Sequence, residues 1–250
     1  PTIVEQLSTR GLATGIVATS SIQHATPASF YAHVKSRRMY EEITEFAPNS
    51  GVNFFAGGGL KFFNQRKDGK DLLAEMEAKG YKVITDQLPQ QPSESNELIL
   101  LAEDGMPKMG QGRGDFLPNA TKLALEKLSK KEKGFFLMVE GSQIDWGGHD
   151  NDADYLIEAL LDFDKTLGVA LDFAKQNGET LVIVTADHET GGFTLASDGS
   201  DYNKIKPTFS TTGHSGTMVP VFAEGPGAFL FNGIYESTEI YHKMMALFDK

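Results

Sequence analysis

Asp145 and His149 stand four residues apart in the string Gln143-Ile144-Asp145-Trp146-Gly147-Gly148-His149. Residues four apart share a face on one turn of helix, so this carboxylate and imidazole can address a single ion. Asp187 and His188 are adjacent, between Thr185-Ala186 and Glu189-Thr190-Gly191-Gly192. A regular strand would point such neighbours to opposite faces, so the pair requires a loop, and Gly191-Gly192 supply the slack. His214 lies in Thr211-Thr212-Gly213-His214-Ser215-Gly216, His24 opens His24-Ala25-Thr26-Pro27, and Glu140 precedes Gly141-Ser142. Four of the six histidines therefore fall in segments of this kind. The chain has no cysteine, which excludes thiolate metal sites and disulfides. Imidazole with carboxylate is a zinc donor set, and carboxylate with hydroxyl is a magnesium set. Taken alone, an Asp-x3-His is a common surface pair and an Asp-His after a strand is a common turn. Three such segments, each beyond a strand, together point to a metal-dependent site.

Those strands are visible as short apolar, β-branched runs at 14–19, 52–56, 81–85, 98–101, 135–139, 181–185 and 218–223. Several are apolar on both faces, which suits a sheet covered on both sides. Helical patterns lie between them at 27–46, 70–79, 120–130, 153–176 and 237–248, the first with Thr26 as cap and Pro27 at the first helical position. The alternation predicts an α/β fold, doubly wound, with a mostly parallel sheet and helices on both faces. We expect a single domain over 1–250, with an excursion beside the sheet at about 57–114, where Gly, Pro and charge are enriched. Residues 2–10 resemble the tail of an amphipathic helix. An α/β domain normally opens with a strand, so the fold is expected to be N-terminally incomplete.

Composition narrows the function classes. The 250 residues are 40% hydrophobic and 23% charged, which is globular. A net charge of -11 argues against sequence-independent nucleic-acid binding, which depends on Lys and Arg. An acidic protein that handles an anionic substrate needs local positive charge, from metal ions or a placed Arg. No stretch reaches the roughly 18 apolar residues of a membrane span, and the first residues are not expected to be a signal peptide.

The segments HATPASFYAHVKSR, VEGSQIDWGGH, TADHETGGF and TTGHSGTMVPVFAEGPG resemble the signature segments of the alkaline phosphatase family, and the likeness runs along nearly the whole chain. It is strongest to the small, cysteine-free bacterial branch. The resemblance implies a doubly wound α/β sheet. It also implies hydrolysis of small phosphomonoesters through a covalent phosphoserine, with two zinc ions and one magnesium. Carried over, it makes Asp145, His149 and His214 ligands of the first zinc, and Asp187 and His188 ligands of the second. Thr26 and Glu140 become magnesium ligands. Arg37 becomes the guanidinium that grips two phosphate oxygens, a task suited to its bidentate fork. His24 and Trp146 fall at positions that vary between subfamilies and touch the magnesium or the phosphate surroundings. Family members are usually exported, to the periplasm or medium, and often dimeric.

Thr26 and Arg37 are eleven residues apart, about 16 Å along a straight helix, so the helix must end or bend before Arg37 if both serve one phosphate. The family's Asp-Ser-Ala nucleophile segment and a metal-bridging Asp do not occur here. Both are expected upstream of Pro1, and Ser20, Ser21 and Ser142 are not expected to substitute. Two other readings remain at this stage. One is a non-catalytic fragment that binds metal or phosphate. The other is a related phosphodiesterase or phosphosugar mutase, against which the VEGSQID and TGHS strings argue. His33 and His242 are expected to be packed or hydrogen-bonded, and Gly57-Gly58-Gly59 to form a turn and not a phosphate loop.

Overall fold

A computed structural model describes residues 1–249. They form two compact units, 1–142 and 143–249. The first opens with α1 (Ile3–Thr9), β1 (Ala13–Ser21), α2 (Ala25–Ala28), α3 (Tyr40–Thr44), β2 (Phe54–Gly58), α4 (Lys61–Asn64) and α5 (Leu72–Ala78), and continues with β3 (Tyr81–Ile84), β4 (Asn96–Leu100), α6 (Phe116–Leu128) and β5 (Phe135–Glu140). Its five strands pair in the order β3-β4-β2-β1-β5, all parallel. All nine residues of β1 are buried. Since alternate residues of a strand point to opposite faces, both faces of the sheet are covered there, and α1 and α6 both contact β1. The chain builds outward from β1 to β2 in one direction and returns to place β5 on the other side. The carboxyl ends of β1 and β5 therefore meet at a topological switch point, where open α/β sheets bind ligands.

The second unit begins with α7 (Gln143–Asp150) and α8 (Ala153–Asn177), followed by β6 (Val182–Val184), β7 (Glu189–Thr190), β8 (Thr194–Asp198), β9 (Asp201–Thr208), β10 (His214–Ser215), β11 (Phe222–Glu224) and α9 (Glu239–Phe248). Its strands pair antiparallel as β7 with β10, β6 with β11, and β8 with β9. Among the described residues, no helix is long and apolar enough to cross a membrane.

Four expectations are corrected. The helix expected over 27–46 is two short helices, α2 and α3, with irregular chain between. An uninterrupted helix would need the Phe30 carbonyl to accept from the N–H of Val34. That carbonyl instead accepts from Thr2 Oγ1 at 2.6 Å, while the Tyr31 hydroxyl donates to the Ile22 carbonyl at 3.0 Å. Tertiary hydrogen bonds thus override the local helical pattern. Residues 57–114 are no excursion beside the sheet, because they supply β3 and β4 to it. The strand expected over 218–223 shrinks to β11, since Pro220 cannot donate to a ladder. Residues 2–10 are not a helix tail, because Thr2 and Glu5 form a capping box that starts α1. The β8–β9 hairpin was not anticipated, although Asp198-Gly199 between alternating runs is a hairpin signal.

A buried arginine organises the surface around α3 and α4. The Arg66 side chain is 1% exposed, donates to both oxygens of Asp68 (2.9 and 2.5 Å) and to Glu45 (3.0 Å), and reaches the Glu41 and Phe62 carbonyls. This hydrogen bonding from Arg66 holds the Asp68 carboxyl down to about 2, against 3.8 for a free aspartate. A depressed folded-state value means that the contribution is complete above the unfolded value and disappears as pH falls through the folded one. Urea unfolding should therefore show wild-type stability falling from pH 4 toward pH 2 more steeply than that of Asp68→Asn. Parallel curves would show that the pair does not couple to folding.

Candidate metal centre and phosphate-binding residues

In the second unit, α7 carries Asp145 and His149 one turn apart, as their spacing predicts. Gly147 and Gly148 give α7 its close packing, because a Cβ on Gly147 would stand 2.6 Å from the Leu156 amide nitrogen and one on Gly148 would stand 2.9 Å from Thr190. The turn into α8 uses Asn151 in the left-handed region (φ 51°), a conformation asparagine tolerates. Asp152 then caps α8 by accepting from the Tyr155 amide, and the Tyr155 hydroxyl donates back to Gln143 at 3.1 Å.

His214, more than sixty residues downstream, comes to the same point because β10 pairs with β7. Its Nε2 lies 3.2 Å from His149 Nε2 and 3.6 Å from Asp145 Oδ1, and His149 Nε2 lies 3.4 Å from that same oxygen. Three donor atoms thus form a nearly equilateral triangle. A tetrahedron with ligand bonds of about 2.0–2.2 Å has edges of about 3.3–3.6 Å, so the spacing fits zinc.

The tautomers agree with that fit. His149 Nδ1 meets the Thr212 carbonyl at 2.7 Å. A carbonyl can only accept, so Nδ1 carries the hydrogen and Nε2 of the neutral ring presents a lone pair to the triangle. Thr190 Oγ1 donates its one hydrogen to Asp145 Oδ1 at 2.5 Å, and it lies 3.2 Å from His188 Nδ1. With its hydrogen committed, Thr190 accepts from His188 Nδ1, which leaves His188 Nε2 bare. That nitrogen faces Asp187 Oδ2 at 3.2 Å. Asp187 and His188 lie in the irregular chain between β6 and β7, as expected, and the His188 ring stacks on His214 with centroids 3.4 Å apart. Beside them the Ser215 hydroxyl donates to Glu189 and holds its carboxyl below the ordinary range. Thr190 and Thr212 bond to the candidate ligands Asp145, His188 and His149, and Ser215 bonds to Glu189; their spacing did not single them out. Only the hydroxyl-rich strings around the histidines could have signalled them. Trp146 is half-buried on α7, next to Asp145.

The first unit holds the remaining candidates. Glu140 ends β5, and α2, which carries Thr26, packs against both β1 and β5. Arg37 is exposed on the irregular chain after α2, and its Nη2 lies 3.4 Å from His24 Nε2. Arginine has no acceptor, so His24 accepts that hydrogen bond. The end of α2 at Ala28 is what allows this approach. His33 pairs with Glu5 at 2.8 Å and His242 packs edge-on against Tyr241.

A family model described as "Alkaline phosphatase" matches residues 1–208. Alkaline phosphatase 3 of Bacillus subtilis (strain 168) is 41% identical over 207 residues, which cover 79% of this chain and 44% of that protein. Alkaline phosphatase 4 of the same organism is 36% identical over 232 residues, 89% of this chain and 50% of that protein. The chain thus spans about half the length of these curated relatives. The solved alkaline phosphatase of the Antarctic bacterium TAB5 superposes with a TM-score of 0.96 at 52% identity, over 99% of this chain and 75% of that one. A mutant of the TAB5 enzyme has been solved with Mg bound in its M3 site. With the family model matched over most of its length and relatives well above 30% identity, this chain belongs to the alkaline phosphatase family.

Proposed function

We propose that the chain carries the metal- and phosphate-binding part of an enzyme that hydrolyses small phosphomonoesters. The convergence of Asp145, His149 and His214 on one point supports this reading most directly. In it these three residues hold one zinc, Asp187 and His188 contribute to a second, and Thr26 and Glu140 contribute to a magnesium. When bound, the zinc ions supply Lewis acidity at the attacking and leaving oxygens of phosphoryl transfer.

The chain's own side chains bind and orient the substrate. Arg37 offers two parallel N–H donors to phosphate oxygens, and His24 restrains its guanidinium from the side. The overall charge of -11 repels a phosphate, and this local cation, together with the metal ions, offsets that repulsion. We assign the covalent step to none of Ser20, Ser21 or Ser142, which are at most 4% exposed. We propose, from the family resemblance alone, that the protein acts in the periplasm or the secreted fraction, and that a homodimer is the assembly to test for.

The test compares the 250-residue chain with the protein expressed from its whole reading frame, each supplied with zinc and magnesium and an aryl phosphate. Turnover is expected from the second, with no phosphoserine trapped at Ser20, Ser21 or Ser142 in either. In the active protein, Arg37→Ala should weaken phosphate binding at least about 10-fold, since each charge-assisted hydrogen bond is worth about 1.5–3 kcal/mol. Its zinc content should be unchanged. Loss of zinc in that variant, or unaltered phosphate affinity, would remove Arg37 from the phosphate.

A further inference from the structure

Two serines from distant parts of the first unit meet at the carboxylate of Glu140. Ser142 Oγ makes a short hydrogen bond to Glu140 Oε2. The amide N–H of Ser20 donates to Ser142 Oγ at 3.2 Å, and the two hydroxyls are 3.0 Å apart. Ser20 Oγ itself stands 3.5 Å from Glu140 Oε2, at the outer limit of a hydrogen bond. Ser20 is fully buried and Ser142 is 4% exposed. Glu140 is only half-buried.

The proton inventory of this cluster is constrained. An ionised carboxylate only accepts, and Ser142 has one hydrogen, so that hydrogen goes to Glu140. The Ser142 oxygen is then left to accept from the Ser20 amide. That amide belongs to β1, whose residues are buried throughout. The rigid strand fixes Ser142 Oγ, and Ser142 Oγ fixes one oxygen of Glu140. A glutamate has three rotatable side-chain bonds, and an unrestrained carboxylate at the end of β5 would lose that freedom each time it took up an ion. A carboxylate already held by hydroxyls loses it once, on folding.

We infer that Ser142, itself anchored by Ser20, is a positioning residue that holds the Glu140 carboxylate ready for a divalent cation of the magnesium type. This rests on the reading of Glu140 as a magnesium ligand and adds to it the two residues that set its geometry. Neither serine is a nucleophile in this account. The Ser142 hydroxyl faces the carboxylate, the Ser20 hydroxyl donates to the Ser21 carbonyl at 3.1 Å, and their burial keeps both from an incoming phosphate. A role in packing alone would predict a loss of stability, from the Ser20 amide left without its acceptor, and no specific effect on the ion.

The experiment is a calorimetric magnesium titration, repeated with Mn2+ followed by EPR, on the protein expressed from its whole reading frame with its zinc sites filled. Ser142→Ala should bind magnesium about 10- to 100-fold more weakly, the range seen when an outer hydrogen-bond partner of a ligand is lost. Its melting temperature should fall only by the few degrees that an unpaired Ser20 amide costs, and its zinc content should not change. Ser142→Thr, which keeps the hydroxyl, should recover most of the affinity. Ser20→Ala, which keeps the amide donor, should show a smaller loss than Ser142→Ala. Wild-type affinity in Ser142→Ala, with Glu140→Gln weakened, would overturn the positioning role and leave Glu140 as a ligand. Wild-type affinity in Glu140→Gln as well would overturn the magnesium reading, and the positioning role with it. A fall in melting temperature with unchanged affinity would assign the serines to packing.

Discussion

The His214→Ala protein is expected to lose about one zinc per chain and to bind zinc at that site more than about 100-fold more weakly than wild type. Even outer-sphere substitutions cost about 10–100-fold in metal affinity, and this one removes a donor atom outright. The three donors stand 3.2 to 3.6 Å apart, so each contributes one corner of the same polyhedron. Without His214 the site keeps Asp145 and His149, both on one turn of α7. A carboxylate and an imidazole alone leave two corners to water, fewer protein ligands than catalytic zinc sites use. The His188 ring also loses its stacking partner, so the loop that presents Asp187 should loosen, and the second zinc should weaken by a smaller factor. Equilibrium dialysis with elemental analysis measures both. His242→Ala is the control, since that histidine is on α9 and packs against Tyr241. A His214→Ala protein that retains full zinc content would show that the triangle of donors does not hold the metal.

Which of these features could be seen in the sequence depended on how local each one is. The five parallel strands were legible because each is a short apolar run, and runs buried on both faces have no competing helical period. Asp145 and His149 were legible because one helical turn relates them. The adjacency of Asp187 and His188 forced a loop, and the structure places them in one. The fate of residues 27–46 was not legible from periodicity. The apolar spacing there is helical, and tertiary bonds from Thr2 to the Phe30 carbonyl and from the Tyr31 hydroxyl to the Ile22 carbonyl stand where the helix stops. Chemistry did better than pattern at this place, since the demand that Arg37 and Thr26 serve one phosphate already required the helix to stop. The hydroxyls that orient the site were invisible for the same reason. Thr190 reaches Asp145 across 45 residues, and Ser20 reaches Ser142 across 122. No spacing rule connects such pairs, and serines and threonines are too common in loops for their type to signal a role.

Placing alanine at position 58 is expected to destabilise the first unit by about 3 kcal/mol, at the upper end of what overpacking a tight site costs. Gly58 ends β2, and a Cβ there would stand 1.7 Å from the Asp104 carbonyl oxygen and 2.9 Å from its carbon. These are backbone atoms, so no side chain can rotate out of the way. Nor can the segment around Asp104 easily retreat. The Ala102 carbonyl accepts from the amides of Gly59 (3.0 Å) and Leu60 (3.1 Å), and Glu103 accepts from Lys61 at 3.2 Å. The Met106 amide donates to Thr19 at 3.0 Å, which ties the same segment to β1 just before Ser20. Gly58 in turn accepts from the Ile22 amide at 3.1 Å, two residues before His24. Movement at position 58 is thus transmitted to the carboxyl end of β1, from which Ser20, His24 and Thr26 are hung. A loss of about 3 kcal/mol corresponds to a fall of roughly 10 °C in melting temperature for a chain of this size. The control is Gly168→Ala, in mid-α8, where a Cβ would meet nothing within 4 Å. Alanine there should raise stability by up to about 1 kcal/mol through helix propensity. Opposite shifts from the same chemical change would show that the close approach at Gly58, and not the loss of glycine as such, sets the cost. If Gly58→Ala melts with the wild type, the segment 101–106 yields freely, and it cannot be what fixes the end of β1 in place.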